Sequence, residues 1–319
     1  ETTGGKGGRT TTVSSLPALR TALAGTNPLI VVAKGSFNLT GETRLRIGSN
    51  KSLLGHKNGA KFFGGGMSAV NQTNIIIRNI QISYAFDNDC ITLQNTTRAW
   101  IDHNEFFSDL EHGPDFYDGQ VDLVRATDWV TVSWNYFHDH WKVSTPVPCF
   151  SNKHTDEITV LIIGNSDVLR EVDEGHLHIT YHHNYWRNIG TRGPAGRFGH
   201  QHIYNNLYRD HLYQAIHSRS DNQMLVEGNV FRGNTREAVS TYGLVIPEDS
   251  PNTCVCGDFE IDGYVNFGAK NDFGRAGVNV TQWGDFKRAP YSTACQRRIN
   301  TTIVCLLMFV LFKPRVCHN

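Results

Sequence analysis

The sequence predicts an all-β fold in which short strands stack in successive coils. One phrase recurs along the 319 residues: an apolar or aromatic run ends in asparagine and then continues with further apolar residues. A period of about 20–30 residues with one β-type run per period is typical of stacked architectures. Long helical periodicity is scarce, which also favours strands and turns. The asparagines of the phrase follow one another in steps of 25, 31, 49, 22 and 23 residues and are Asn79, Asn104, Asn135, Asn184, Asn206 and Asn229.

These asparagines are expected to be structural and not catalytic. In a parallel coil the same register recurs on each turn, so asparagines at equivalent turns can stack. Each side-chain amide would then bond to the backbone or amide of the next rung, and such a ladder satisfies buried polar groups.

The elements follow in a simple order along the chain. Residues 1–28 predict an N-terminal strand or cap with one short helix, in the mildly amphipathic stretch from Leu16 to Leu23. Residues 29–231 contain the repeat array. Residues 232–290 lose the phrase but stay rich in glycine and aspartate, which predicts a last coil and loops packed on its side. The tail from residue 291 has an apolar run shorter than the ~20 residues that a membrane-spanning helix needs.

Composition narrows the function classes. Lysine plus arginine equals aspartate plus glutamate at 30 each, so net charge gives no reason to expect nucleic acid. We expect a monomer with no membrane partner. Seven cysteines leave at least one unpaired, and their pairing stays open. The chain starts at Glu1 without a visible signal peptide, which indicates a processed or truncated chain. Its glycosylation motifs favour a secreted, extracellular glycoprotein and start at Asn38, Asn50, Asn71, Asn95, Asn279 and Asn300.

Two pairs of acidic residues precede or adjoin predicted strands. Asp87 and Asp89 are two residues apart, and Asp118 and Asp122 are four apart. Because coils of a solenoid stack about 4.8 Å apart, the two pairs can converge on one spot. Four carboxylates with no nearby base suit a hard cation such as calcium, which takes several oxygen ligands. Turns that merely contain aspartate are the open alternative.

Basic residues and histidines supply further candidates. Arg192 and Arg197 flank a stiff Gly-Pro-Ala-Gly segment, and Lys142 follows an aromatic, histidine-rich stretch. Guanidinium groups held this way are suited to bind carboxylates. The histidine pairs in the chain lack a third ligand at zinc spacing, so packing is favoured over a zinc site. Walker, GxSxG and HExxH motifs are absent from the sequence.

Taken together and in order, these motifs resemble the pectate lyases of polysaccharide lyase family 1, in particular the fungal secreted enzymes. The resemblance runs from about residue 4 to about residue 290. The stretches that match the family are Trp100 to Asn104, Asp118 to Asp122, Val130 to Tyr136, His182 to Asn184 and Arg192 to Arg197.

The resemblance implies a right-handed, single-stranded parallel β-helix and calcium-dependent β-elimination of polygalacturonate to 4,5-unsaturated products. It implies Arg192 as the catalytic residue, with Lys142 and Arg197 binding uronate carboxylates. Position 118 is aspartate where relatives often have glutamate, which shortens the reach but keeps the carboxylate. The residues that match the calcium ligands are Asp87, Asp89, Asp118 and Asp122.

The implied mechanism requires the protein to stabilise the negative charge that develops on the substrate. The substrate proton at C5 is α to a carboxylate, so its removal builds up a costly dianion that calcium, Lys142 and Arg197 would neutralise. Arg192 would take the proton. Because arginine is normally always protonated, this role needs dense positive charge and alkaline pH.

Three alternatives stay open. A pectin lyase would act on methyl-esterified pectin without calcium, although the retained acidic pairs favour pectate lyase. A non-catalytic glycan-binding β-helix would share the fold. A hydrolase would need two carboxylates placed around a water, and only the acidic cluster is available for that.

Two stretches depart from the family pattern: an insertion at residues 143–162 and a tail at 291–319. We expect a single lyase domain over residues 1–290. Without the 20 inserted residues, the step from Asn135 to Asn184 falls from 49 to 29, close to the 31 before it. The two stretches are either genuine loops or artefacts, that is, translated introns or mis-set gene boundaries. The position of the insertion directly after Lys142 favours the artefact.

Overall fold

The computed structural model describes residues 1–86, 88–112, 116–140, 162–164, 166–245 and 258–284. Within these ranges the regular structure is almost entirely β. Helical structure is confined to α1 (Leu16–Leu23) and to a 3-10 turn (Asp167–Leu169) that runs into α2 (Arg170–Asp173). The expected all-β class and the short helix near the N-terminus are both confirmed.

The strands form the three faces of a parallel β-helix. The first face contains β3 (Leu45–Arg46), β5 (Met67–Val70), β8 (Ile91–Gln94), β11 (Val121–Val124), β14 (Ile162–Ile163), β17 (Ala195–Gly196), β20 (Gln214–Ser218), β23 (Glu237–Ser240) and β27 (Gly277–Asn279). The second face contains β6 (Thr73–Arg78), β9 (Thr97–Asp102), β12 (Asp128–Ser133), β15 (His178–His182), β18 (His200–Tyr204), β21 (Gln223–Glu227) and β26 (Tyr264–Phe267). The third face contains β7 (Ile80–Ser83), β10 (Glu105–Phe107), β13 (Tyr136–His140), β16 (Tyr185–Ile189), β19 (Leu207–His211) and β22 (Val230–Arg232).

Long strands at the N-terminal end join the second and third faces. The first part of β4 (Lys51–Phe63) pairs with β6, and its last part pairs with β7. On its other side β4 pairs with β2 (Leu29–Asn38), which pairs with β1 (Arg9–Val13). A separate antiparallel pair, β24 (Leu244–Val245) with β25 (Asp258–Phe259), lies off the coils.

The core is built from rows of like side chains. Because a parallel register repeats on every rung, an inward position stays inward along the whole stack. On the third face this places aromatic rings over one another, with centroid separations of 4.9 Å from Phe106 to Phe137 and 4.0 Å from Phe137 to Trp186. Tyr208 and Phe231 continue the row at 4.8 Å. Stacked rings bury large apolar areas, and each pair adds about 0.5–1.5 kcal/mol beyond area burial.

An asparagine ladder runs between the second and third faces. Asn104 Nδ2 donates to Asn135 Oδ1 at 3.0 Å, and Asn135 Nδ2 donates to Asn184 Oδ1 at 3.1 Å. The chain of amides continues through Asn206 to Asn229 with bonds of 3.0 Å. Each amide oxygen also accepts the backbone N–H of the preceding ladder residue. The predicted structural role is thereby confirmed for five of the six asparagines.

The remaining asparagine of the phrase was wrongly placed in the ladder. Asn79 has φ 59° and aligns with His103, the residue before Asn104, as the pairing of Arg78 with Asp102 shows. This position is left-handed on successive rungs, so it forms the bend while the next residue joins the ladder. At the other end Asn229 Nδ2 bonds to Asn271 Oδ1 at 3.4 Å, which extends the ladder into the last coil.

The N-terminal end of the coil is closed by α1. A proline in its first turn suits the start of a helix, and Leu19 and Leu23 are buried against the first coil. The atypical insertion and tail lie outside the described residues, apart from Ile162, which belongs to β14.

Candidate active site

The acidic residues near the predicted site lie along the first face. Asp89 lies two residues before β8, and Asp122 lies within β11 on the next rung. Asp122 is the register partner of Thr92, whose Oγ1 donates a 2.6 Å hydrogen bond to Asp89 Oδ2. The two carboxylates are therefore neighbours across one rung of the sheet.

The buried thiol of Cys90 shows that a third carboxylate is close. Burial raises the pKa of this thiol far above its ordinary value, and the negative charges of Asp89, Asp118 and Asp122 raise it further. Asp118 Oδ1 also accepts the backbone N–H of Gly119 at 2.9 Å. Three of the four predicted acids thus act electrostatically on one sulfur atom. Asp87 lies outside the described residues.

The donor set of this acidic group suits a hard cation. Asp89 and Asp122 are only 4% and 8% exposed, so their charges are poorly solvated. Arg44 Nη2 lies 3.6 Å from Asp89 Oδ2. Across the described part of the chain, no three histidine, cysteine or acidic side chains are close enough to form a complete metal cage. The carboxylate oxygens are nevertheless ligands that calcium prefers.

Arg192 opens the segment that leads into β17. It is buried, and its φ of 63° lies in a region that residues other than glycine rarely adopt. Its backbone N–H donates to Gln214 O at 3.0 Å, and that of Gly193 donates to Ala215 O at 2.7 Å. A Cβ on Gly193 would meet the Trp186 ring at 3.2 Å. Neighbouring strands therefore hold Arg192 in an uncommon conformation, as happens at functional sites.

Arg197 forms a buried ion pair with Glu260. Its Nη2 donates to Glu260 Oε1 at 2.6 Å and its Nε to Oε2 at 3.2 Å, while Nη1 donates to Gly164 O at 3.0 Å. The Glu260 carboxylate also lies 3.1 Å from Arg219 Nη1 and accepts Ser220 Oγ at 2.9 Å. The arginine predicted to bind uronate carboxylates is thus held bidentately by a carboxylate of the protein.

The buried His217 lies in a region of positive charge around Arg192 and Arg197. His217 on β20 is the register partner of Ala195, between the two arginines in sequence. Burial, followed by the charges of Arg219, Arg192 and Arg197, lowers the pKa of His217 to about 3. Its Nε2 lies 2.8 Å from Tyr242 O, so the neutral ring donates there. Positive charge is therefore dense near Arg192, as the predicted role for that residue requires.

The acidic and basic groups share the first face. Leu123 of β11 pairs with Ile163 of β14, which pairs with Gly196 of β17. The Asp122 rung and the Arg197 segment are therefore two rungs apart, or roughly 10 Å at the usual spacing. Lys142, the remaining predicted cation, lies outside the described residues.

Several residues of this site have no signal in the sequence. Glu260 and Arg219 come from segments without a motif, and Glu260 is 63 positions from its partner Arg197. His217 and Thr92 belong to ordinary strands. Only the register of the coils could have identified them, because it brings each beside a residue of a recognised motif.

Comparison with known proteins decides the family. A sequence model of the family described as pectate lyase matches residues 1–243. This chain belongs to the pectate lyase family. The chain is 35% identical to a probable pectate lyase B of Aspergillus flavus over 267 residues, which is 83% of this chain and 74% of the relative. It is 39% identical to a probable pectate lyase A of Aspergillus niger over 241 residues, 75% of this chain and 69% of the relative.

Solved pectate lyases share the fold. A Bacillus pectate lyase crystallised with trigalacturonate superposes with a TM-score of 0.71 at 26% identity and covers 94% of each chain. A thermostable pectate lyase superposes with a TM-score of 0.62 at 23% identity, and the alignment covers 82% of this chain and 84% of the chain of that enzyme. The chain is a polysaccharide lyase with a parallel β-helix fold.

Proposed function

We propose that this pectate lyase requires calcium and cleaves polygalacturonate by β-elimination, giving 4,5-unsaturated oligogalacturonides. The observation that carries the proposal is the shared first face: the strand of Asp122 lies two rungs, and the strand that follows Asp89 three rungs, from the segment with Arg192 and Arg197. One group suits a cation, and the other suits an anionic substrate.

Four acids would hold the metal: Asp87, Asp89, Asp118 and Asp122. When bound, calcium supplies positive charge that offsets the charge of a uronate carboxylate. Thr92 fixes one oxygen of Asp89 by its hydrogen bond and so orients that carboxylate. Lys142 would bind a further uronate carboxylate. Arg197, fixed by Glu260, would bind another.

Arg192 is proposed to remove the proton from C5. The electron pair of the C5–H bond then forms the C4–C5 double bond, the C4–O bond breaks, and the leaving oxygen takes up a proton. Nearby positive charge favours the neutral form of a base, and Arg197, Arg219 and Arg192 act together on His217. The proposed role of Arg192 also needs alkaline pH.

The test follows absorbance of the unsaturated product with polygalacturonate at alkaline pH, with calcium and after chelation. Arg192→Lys should lose about 100-fold or more in kcat, the usual contribution of a positioned base. Asp122→Ala should lose activity that added calcium partly restores. The matched controls are Arg236→Lys, at an exposed arginine, and Asp118→Glu, which keeps the carboxylate. Parent-like activity in Arg192→Lys or Asp122→Ala, or full activity after chelation, would refute the assignments.

Substrate preference separates this proposal from a pectin lyase. A pectin lyase would prefer methyl-esterified pectin and would not need calcium, whereas the buried carboxylates of the first face favour a calcium-dependent enzyme. Equal rates on both substrates without calcium would support the alternative. Polygalacturonate binding without any product would instead support a glycan-binding β-helix.

We also propose a secreted, monomeric enzyme whose lyase domain spans residues 1–290, with atypical segments at 143–162 and 291–319. No helix in the described ranges is long and apolar enough to cross a membrane. Size-exclusion chromatography of the enzyme from culture medium tests both the location and the oligomeric state. Sequencing the transcript across residues 142–164 tests whether the insertion is encoded.

A further inference from the structure

An exposed group of aromatic rings adjoins the acidic end of the site. We call it the aromatic wall, and it consists of Tyr84, Phe86, His112, Phe116 and Tyr117. Phe86 is 46% exposed, and Tyr84 and Phe116 are each 40% exposed. An exposed group of apolar rings is a candidate binding surface.

The rings of the aromatic wall contact one another in a continuous series. Phe86 meets Phe116 edge to face at 5.1 Å, and Phe116 stacks on His112 at 3.9 Å. Tyr117 meets Phe116 at 4.8 Å and Tyr84 at 5.9 Å. The rings come from two separate segments, so the arrangement is tertiary and not a local run of aromatic residues.

Asp109 holds the second of these segments in place. Its carboxylate accepts the backbone N–H groups of Glu111 and His112, each at 3.0 Å, and the hydroxyl of Tyr117 at 2.8 Å. Burial alone would raise the pKa of Asp109, but the hydrogen bonds from His112 and Tyr117 outweigh it and lower this pKa to about 2. The wall is therefore built before any ligand arrives.

The same two segments carry the acids of the candidate site. Phe86 and Tyr117 form an antiparallel backbone bridge, and Cys90 N–H donates to Gly119 O at 2.9 Å. Asp89 thus follows Phe86 by three residues, and Asp118 follows Tyr117 directly. A polymer bound at the acids would continue past the aromatic wall, because the two features are continuous.

We propose that the aromatic wall is a sugar-binding subsite on which the C–H face of a pyranose ring of the galacturonan chain stacks. The inference rests on the proposed function, since the polymer is the one assigned to the acidic site. The phenylalanine and tyrosine rings of the wall complement an apolar ring face. The subsite would bind a sugar unit beside the one held at the acids, without taking part in proton transfer.

The kinetic test uses Phe86→Ala and Phe116→Ala, assayed on polygalacturonate and on a short galacturonide such as the trimer. Loss of a stacked ring should raise KM on the polymer about tenfold with kcat little changed. The trimer should be affected less if it does not reach the wall. Phe86→Trp and Phe116→Tyr, which keep a ring, should retain most of the parent KM.

The matched control is Trp129→Ala, at a 52% exposed aromatic residue on the second face. It should leave KM unchanged, and thermal unfolding should show all variants folded. Binding of uncleaved polygalacturonate in calcium-free buffer, measured by affinity electrophoresis, tests the wall even if the parent proves inactive. Unchanged KM and binding in both Ala variants would overturn the proposal. So would a loss confined to methyl-esterified pectin, which would assign the wall to ester methyl groups.

Discussion

The ion pair between Arg197 and Glu260 allows a sharp test of how the site is held together. We expect Glu260→Gln to destabilise the protein strongly, because the substitution keeps the shape of the side chain but removes its charge. The two side chains are only 3% and 8% exposed, and Arg219, at 1%, shares the same carboxylate. Removing Glu260's charge leaves two buried guanidinium groups without this partner.

The expected magnitude follows from burial. Breaking a buried pair by removing one partner costs about 3–5 kcal/mol, whereas an exposed pair contributes about 0–1 kcal/mol. The chain contains a comparison at the same distance: Arg170 Nη2 lies 2.6 Å from Asp221 Oδ2, but those side chains are 36% and 38% exposed. Asp221→Asn should therefore cost no more than about 1 kcal/mol.

The assay is denaturant unfolding of the parent, of the single variants Glu260→Gln, Arg197→Gln and Asp221→Asn, and of the double variant Arg197→Gln/Glu260→Gln. The free energy of unfolding of Glu260→Gln should fall several-fold more than that of Asp221→Asn, and the double variant should cost less than the sum of its parts. An equal cost for the Glu260 and Asp221 substitutions would refute the claim that burial controls the strength of this pair. A fully additive double variant would refute direct coupling.

The remaining predictions concern the ladder, acid stability and the aromatic wall. Asn184→Ala removes an amide whose oxygen accepts two hydrogen bonds from Asn135, so the free energy of unfolding should fall by about 2–4 kcal/mol. In the same denaturant series, Asn79→Ala, outside the ladder, should lower the free energy of unfolding by less. Burial lowers the pKa of His211 to about 3, so the unfolded chain binds protons that the folded chain does not. The free energy of unfolding should therefore fall as pH drops from about 6.5 towards 3, by ~1.4 kcal/mol per pH unit for this group. The substitution His211→Phe should make the temperature of thermal unfolding less dependent on pH in that range. Asp109→Asn, which weakens the support of the wall, should raise KM on polygalacturonate while leaving kcat close to the parent, and a fall in kcat alone would contradict a role in binding.

The repeat could be recognised in the sequence because a parallel coil places the same type of residue at the same position on every rung. The ladder asparagines stand at equivalent turns, and an amide can both donate and accept along the stack. Asn79 misled the sequence reading because its left-handed bend also favours asparagine. Asn271 was missed because the apolar phrase around it is lost.

The site was predictable only where the resemblance supplied motifs. Asp89, Asp118, Asp122 and Arg192 belong to recognisable stretches, and the register of β8, β11 and β17 places those stretches on one face. Their roles stay proposals. The ion pair between Arg197 and Glu260 had no such signal in the sequence. It joins segments that are 63 positions apart, so it depends on how those segments pack together.

The order of residues by itself determined that this chain is a stacked β protein, because periodic burial and local turn chemistry are properties of neighbouring residues. The pectate lyase type followed from the resemblance of its motifs. Only the tertiary structure decided which asparagines form the ladder, how Glu260 fixes Arg197 and that Phe86 meets Phe116 beside the acids. Those contacts join residues that are far apart in sequence. Their energies depend on burial and distance, which exist only once the coils have stacked.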